Sequence, residues 1–244
     1  MEAQVQPKKK FAFSTRSKTT PHVAPASTAA APGPSAVNIP AATASSFGAS
    51  LPPDSFVISH RRNETLSFTY EQLVAQIPAT SCASPHVQLH IQQCSDCIIH
   101  VPVMLGSVRI EHIARCTVLL GPCLTSVYIE GALDGCLLVV ACHQLRIHNT
   151  QQSTLLLACK SHPIIEDCAG LLCGPYLAQY PSLPQQLHDS SLHMVAPDSH
   201  VKVVDFRWHK TTPSPNWRVL TEEEKQQVSA RLQRDLDRAE QQLG

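Results

Sequence analysis

The 244-residue chain has no excess of either charge: 19 lysines and arginines stand against 19 aspartates and glutamates. No global field therefore argues for a nucleic-acid partner. No run of 18 apolar residues occurs, so no membrane span is expected. The basic run from Lys8 to Lys10 is followed by no apolar stretch and is not a secretory signal. Glu2 excludes N-terminal myristoylation. These absences predict a soluble, intracellular protein without a membrane anchor.

Signatures of self-contained catalysis are missing too. There is no phosphate-binding loop, no G-x-S-x-G, no H-E-x-x-H and no Rossmann fingerprint. The 13 histidines are scattered without metal-ligand spacing. Cys94 and Cys97 form a C-x-x-C, but no second pair follows at zinc-finger spacing, so no metal site is expected. No cofactor is expected either.

What is present begins with a tail. Residues 1–52 are rich in Ala, Pro, Ser and Thr and hold few large apolar residues beyond Phe11 and Phe13. Such a composition cannot offset the entropy of ordering. From Phe56 the texture changes to apolar pairs alternating with polar residues, and a repeat emerges. Ile91, Ile110, Ile129, Ile147 and Ile165 are spaced 19, 19, 18 and 18 residues apart. Leu89, Val108, Val127 and Leu145 precede four of them by two residues. A second column runs Cys97, Cys116, Cys136, Ser153. A third recurs as Ile98-Ile99, Val118-Leu119, Leu138-Val139 and Leu155–Leu157.

A constant period with short strands and no helix between them predicts a solenoid. One turn of a parallel β-helix, with three short strands and three corners, needs about this length. Like residues then stack every ~4.8 Å, the spacing of neighbouring strands. The Ile and Cys columns become interior ladders, and most of the ten cysteines are explained as small buried hydrophobes. An antiparallel sandwich would want many tight hairpin turns, and only Asp134-Gly135 offers one.

The pattern fades after Leu172. Both tryptophans, Trp208 and Trp217, lie in the segment that follows, which reads as a cap on the open end of the solenoid. Thr221 with Glu224 forms a capping box. Val228, Leu232, Leu236, Ala239 and Leu243 then follow at helical spacing, without deciding what the helix packs on. The expected organisation is a disordered tail over 1–52, an all-β parallel β-helix with its cap over 56–220, and a C-terminal α-helix over 221–244.

Period-2 alternation places one stretch on the outer face. In Cys142–His148, Leu145 and Ile147 point to the core, and Gln144, Arg146 and His148 point out. In register, the outward column through Arg146 contains His90, Arg109, Tyr128 and Ile164. The next contains Gln92, Glu111, Glu130, His148 and Glu166. Arg109, Tyr128 and His148 are therefore candidate binding residues beside Arg146. Glu166, one rung up and on the diagonal, is placed to hold the Arg146 guanidinium. A rigidly held guanidinium suits a phosphate or carboxylate on a partner.

These residues carry a resemblance. Cys142-x-Gln144-Leu145-Arg146-Ile147-His148-x-Thr150, Ile165-Glu166-Asp167-Cys168-x-Gly170, Pro175-Tyr176, Asp205-Phe206-x-Trp208 and Ser214-Pro215-Asn216-Trp217 occur in order. Over roughly residues 56–225 the chain resembles the C-terminal domain of the tubulin-folding cofactor C family. The resemblance implies a right-handed parallel β-helix that activates GTP hydrolysis in trans, as part of tubulin folding. The implied target is GTP-bound β-tubulin, held with cofactors D and E. An ARF-like small GTPase is the alternative, bound with or without activation, because the related retinitis pigmentosa 2 protein acts on one. It further implies that Arg146 is an arginine finger supported by Gln144, Glu166 and Phe206. The family's helical N-terminal domain has no counterpart in residues 1–52. The resemblance implies a cytoplasmic chaperone, with the microtubule cytoskeleton or the centrosome and basal body as further locations.

Overall fold

A computed structural model describes residues 55–77 and 86–242; the expected tail and Leu243 lie outside them. The described chain is a parallel β-solenoid. Its first ladder stacks Ser55–Ser59, Gln88–Gln92, Val108–Ala114, Cys123–Leu133, the C-terminal half of Leu137–His148, Ile164–Glu166 and Val204–Asp205. Its second stacks Thr65–Ser67, Ile98–Val101, Thr117–Leu120, the N-terminal half of Leu137–His148, Thr154–Cys159, Leu171–Pro175 and Trp217–Val219. The third side is thinner. It consists of in-register pairs such as Cys142 with Cys159 and isolated bridges such as Leu105 with Cys123. Two strands run through a corner, so Cys123–Leu133 and Leu137–His148 each serve more than one side.

The isoleucine column forms as its spacing predicts: Ile91, Ile110, Ile129, Ile147 and Ile165 are all buried and in register. Two rungs extend the ladder beyond the repeat. Phe56 and Ile58 pair with Leu89 and Ile91 across a longer turn holding the helix Tyr70–Val74. Val204 pairs with Ile164 after a segment that includes the helix Leu183–Asp189.

The corners obey a rule the residue types hide. Left-handed residues recur three apart: His60 and Asn63, Gln93 and Asp96, His112 and Arg115, Gly131 and Asp134, Asn149 and Gln152, Asp167 and Gly170. Most are not glycine, so each carries a steric cost. Their N–H groups stay in the ladder nonetheless. Gln93 N donates to Glu111 O at 3.0 Å, Asp96 N to Ala114 O at 3.0 Å and Gln152 N to Ala169 O at 2.9 Å.

The Cys column closes these corners. Cys97 Sγ donates to the carbonyl of Ser95 (3.2 Å), Cys116 Sγ to that of Ala114 (3.3 Å), and the Ser153 hydroxyl to that of Gln151 (2.8 Å). A small side chain with one donor fills the narrow core and satisfies a turned carbonyl. In the third turn Gly135 adds a third left-handed residue (φ +83°), and Cys136 reaches back to Leu133 instead.

All nine described cysteines are buried free thiols. Burial raises Cys116 and Cys173 to about 12 and Cys123 to about 11, and a protonated buried thiol is a poor nucleophile. Cys159 differs, because the Cys142 thiol 3.9 Å away donates to it and lowers it. With Cys82 replaced by serine, an aromatic disulfide reagent should label the native protein slowly, Cys159 first, and all nine thiols after unfolding. Rapid native labelling of Cys97, Cys116 or Cys136, or stoichiometric zinc by elemental analysis, contradicts this packing role.

The C-terminal helix, Glu222–Glu240, starts at the expected Thr221–Glu224 capping box. It packs on the outer side of the second ladder. Leu232 and Leu236 meet Leu119, Leu137, Val139, Leu156 and Leu220, with Val228 at the margin. Two polar ties fix its register: Thr117 Oγ1 donates to Asp235 at 2.8 Å, and Arg231 donates to Thr117 Oγ1 at 3.0 Å and to Gly135 O at 3.1 Å. The second ladder is thus covered on both sides, and the outer side of the first is left for partners. Among the described residues no helix is long and apolar enough to cross a membrane.

Candidate functional site

The outer side of the first ladder carries the columns the period predicts. His90, Arg109, Tyr128, Arg146, Ile164 and Val204 are paired in succession. Gln92, Glu111, Glu130, His148 and Glu166 run beside them. Gln144 lies one step before Arg146 on that side and pairs with Ser126.

A chain of polar contacts crosses this face. Glu111 accepts from Arg109 at 2.6 Å and lies 2.7 Å from His90 Nε2. Burial tends to raise the Glu111 carboxyl, but these two donors hold it below its usual range. Arg109 also sits 4.7 Å over the Tyr128 ring, an attraction between a cation and the negative face of the ring. The Tyr128 hydroxyl donates to Glu130 at 2.8 Å, and burial together with that carboxylate pushes the phenol up to about 12. Glu130 and Asp167 approach His148 at 3.6 and 3.3 Å.

Arg146 stands outside this chain. Leu145 and Ile147, each 1% exposed, fix its backbone in the core, while its own side chain and that of Gln144 are exposed. Among the described residues the Arg146 side chain makes no hydrogen bond or ion pair. The expected contact between Arg146 and Glu166 does not form. Glu166 Oε1 instead lies 3.0 Å from Arg207 Nε, and Arg207 Nη2 donates to Asp167 at 3.3 Å. The physical reason is reach: the loop after Val204–Asp205 lays a second guanidinium over the Glu166–Asp167 pair, and one cation between two carboxylates is held more firmly than one on a single carboxylate.

That loop is tied by Asp205. Its carboxylate accepts from Ser214 Oγ at 2.6 Å, Asn216 Nδ2 at 2.7 Å and the Arg207 backbone at 3.1 Å. Burial opposes its charge, but these donors more than offset it and hold the carboxyl below its usual value. The motif residues Asp205, Ser214 and Asn216 are therefore a structural knot. Phe206 is anchored through its backbone to Ile165 O at 2.9 Å, and its ring is 59% exposed. Val204, two rungs from Arg146 in the outward column, is exposed as well.

Ligand atoms of His148, Glu166 and Asp167 come within 4.8 Å of one another. Arg207 already neutralises both carboxylates, so the donor set is an ion-pair cluster and does not fit a resident metal. Sequence reasoning missed Arg207. Its only signal was its position inside Asp205-Phe206-x-Trp208, where the residue type between the quoted positions carried no pattern.

Residues 86–206 match the family model for tubulin binding cofactor C. The tubulin-specific chaperone C of Mus musculus is 32% identical over 91% of this chain, and that of Bos taurus 34% over 91%. The chain spans 61% of the length of each. The solved tubulin binding cofactor C from Leishmania major is 27% identical, covering 53% of this chain and 87% of that one with a TM-score of 0.48. The match to the family model covers the central turns, and identity to these chaperones extends along most of the chain, so residues 86–206 form a tubulin binding cofactor C domain.

Proposed function

We propose that this chain serves tubulin folding as a GTPase activator in trans, with Arg146 as an arginine finger for GTP bound to β-tubulin and cofactors D and E as its companions. The observation that carries this reading is the state of Arg146: an exposed guanidinium, without a partner among the described residues, on a strand whose neighbours are locked in the core. Phosphoryl transfer is accelerated by placing charge where it develops, and an arginine in trans contributes ~10³–10⁵-fold in rate. A preorganised cation supplies that charge with little rearrangement. Gln144, on the same exposed edge, is assigned to orient either the finger or the attacking water.

The surrounding face suits a protein partner. Phe206 and Val204 offer apolar contact on one flank, and the ordered array of Arg109, Tyr128, Glu130 and His148 offers directional polar contact on the other. The relatives' name, tubulin-specific chaperone C, supports tubulin as the target; the cytoplasm is proposed as the site of action. The test is single-turnover GTP hydrolysis by tubulin with cofactors D and E, with and without this protein. Acceleration is expected. If tubulin shows none and an ARF-like GTPase is accelerated instead, the target is wrong while the mechanism stands. Absence of any acceleration removes both.

A further inference from the structure

Cys123, Cys142 and Cys159 stack on successive rungs of the third side, each paired in register with the next. Two of them stand apart from the other thiols. The Cys142 S–H donates to Cys159 Sγ at 3.9 Å, the one thiol–thiol hydrogen bond among the described residues. In the other column the thiols turn away from one another, and Cys97, Cys116 and Cys136 donate to corner carbonyls at 3.2, 3.3 and 3.3 Å.

The pair is asymmetric. Cys142 is 0% exposed. Cys159 ends the strand Thr154–Cys159, and the three residues that follow it, Lys160, Ser161 and His162, are exposed. The Ser161 hydroxyl lies 3.8 Å from the Cys159 sulfur. Hydrogen bonds from Cys142 and Ser161 favour the Cys159 thiolate and lower its pKa, whereas Cys142, which gives the proton, is raised. The thiolate is the nucleophilic form. One sulfur is thus activated a single residue from the surface, and a second thiol is in contact behind it. The backbone suits a bond between them. Neighbouring strands hold in-register Cα atoms ~4.8 Å apart, inside the range of about 4.4–6.8 Å found across a disulfide.

We propose that Cys142 and Cys159 form a site of reversible oxidation, a dithiol that a peroxide closes to a disulfide. The Cys159 thiolate attacks one peroxide oxygen. An S–O bond forms, the O–O bond breaks, and the departing hydroxide takes up the proton that Cys159 has lost and leaves as water. The Cys142 sulfur then attacks the sulfur of the Cys159 sulfenic acid. The S–S bond forms, the S–O bond breaks, and the hydroxyl leaves with the Cys142 proton as a second water. Two electrons pass from the two sulfurs to the peroxide, and a dithiol reductant returns them. Only the first step needs an incoming molecule, so the burial of Cys142 does not oppose the second. The bond lands two residues before Gln144 and four before Arg146 on the strand Leu137–His148, and it ties the root of that segment to the next rung.

The test is peptide mapping of the full chain carrying Cys82→Ser, exposed to hydrogen peroxide while native and then alkylated under denaturing conditions. One cross-linked peptide pair is expected, holding Cys142 and Cys159 and two hydrogens lighter than its reduced form. The other seven described thiols should be alkylated, and dithiothreitol should reopen the bond. Cys142→Ser should stop at a Cys159 sulfenic acid that dimedone captures, and Cys159→Ser should leave Cys142 reduced. The mapping with both cysteines in place stands even where a variant fails to fold. Both thiols remaining free in peroxide that oxidises glutathione in the same solution overturns the proposal. So does a cross-link between other cysteines formed ahead of this one, or Cys159 passing to sulfinic acid while Cys142 stays free. No step uses a GTPase, so the outcome is separate from that of the arginine-finger reading.

Discussion

Arg146→Ala should melt like the wild-type protein, bind its GTPase and lose roughly 10³-fold or more of the stimulated hydrolysis. The three expectations have separate causes. The fold survives because Arg146 contributes no contact to it: its side chain is exposed and without a partner among the described residues, while Leu145 and Ile147 hold the strand. Binding survives because one side chain is a small part of a standard interface of about 1,600 Å². Hydrolysis fails because a 10³-fold loss corresponds to about 4 kcal/mol of transition-state stabilisation, which only a charge at the transferring phosphoryl group supplies on this scale. Arg146→Lys should be nearly as damaged, since an ammonium is a point charge and lacks the planar fork. The informative comparison is binding by calorimetry against single-turnover rate. If binding and turnover vanish together, or turnover is untouched, Arg146 is not a finger, and the face is a recognition surface only.

Ile129→Asp should abolish cooperative folding. Ile129 is 0% exposed and stacked between Ile110 and Ile147 in the middle of the isoleucine column. The substitution removes a large apolar side chain and places a carboxylate where no donor is available. Each change belongs to the small class that costs about 4 kcal/mol or more, against a total stability of about 5–15 kcal/mol for a domain. In a solenoid each rung is stabilised by its two neighbours, so a failed central rung separates the first turns from the last. Circular dichroism should show the sigmoidal melt lost or moved far down. Val57→Asp makes the control: Val57 lies in the outward column, paired with His90, and is 41% exposed. It should shift the melt little. A wild-type melting temperature for Ile129→Asp rejects the ladder.

The repeat was legible in the chain because a β-helix core is a set of one-dimensional columns. Stacking like on like converts a three-dimensional packing problem into a sequence period, so Ile91 to Ile165 and Cys97 to Ser153 announce their contacts directly. The same logic placed Arg146, Tyr128 and Arg109 in one outward column, and His148, Glu130 and Glu111 in the next. What the C-terminal helix packs on was left open by its own stripe, and the folded chain relates it to a difference between the two ladders. The first ladder alternates, as in Val127-Tyr128-Ile129-Glu130, because one side meets water. The second runs apolar without a break, as in Leu137-Leu138-Val139-Val140, because both sides are covered and all four residues are buried.

Other features were decided only by the folded chain. Left-handed corner residues recur with the period, but His60, Gln93, His112 and Gln152 are types that do not advertise a positive φ. Their conformation is imposed by N–H groups held in the neighbouring rung. The thiols of the Cys column were expected as small hydrophobes, and the carbonyl each one satisfies emerges only when the corner is closed. The partner of Glu166 was the largest departure. Period and register correctly set it on the diagonal from Arg146, yet Arg207, about forty residues later in sequence, takes it. A local pattern reports which side chains share a face. Which of two arginines captures a carboxylate depends on a loop that returns from outside the repeat, tied down by Asp205, Ser214 and Asn216, and that competition is settled by distance and charge in the assembled structure.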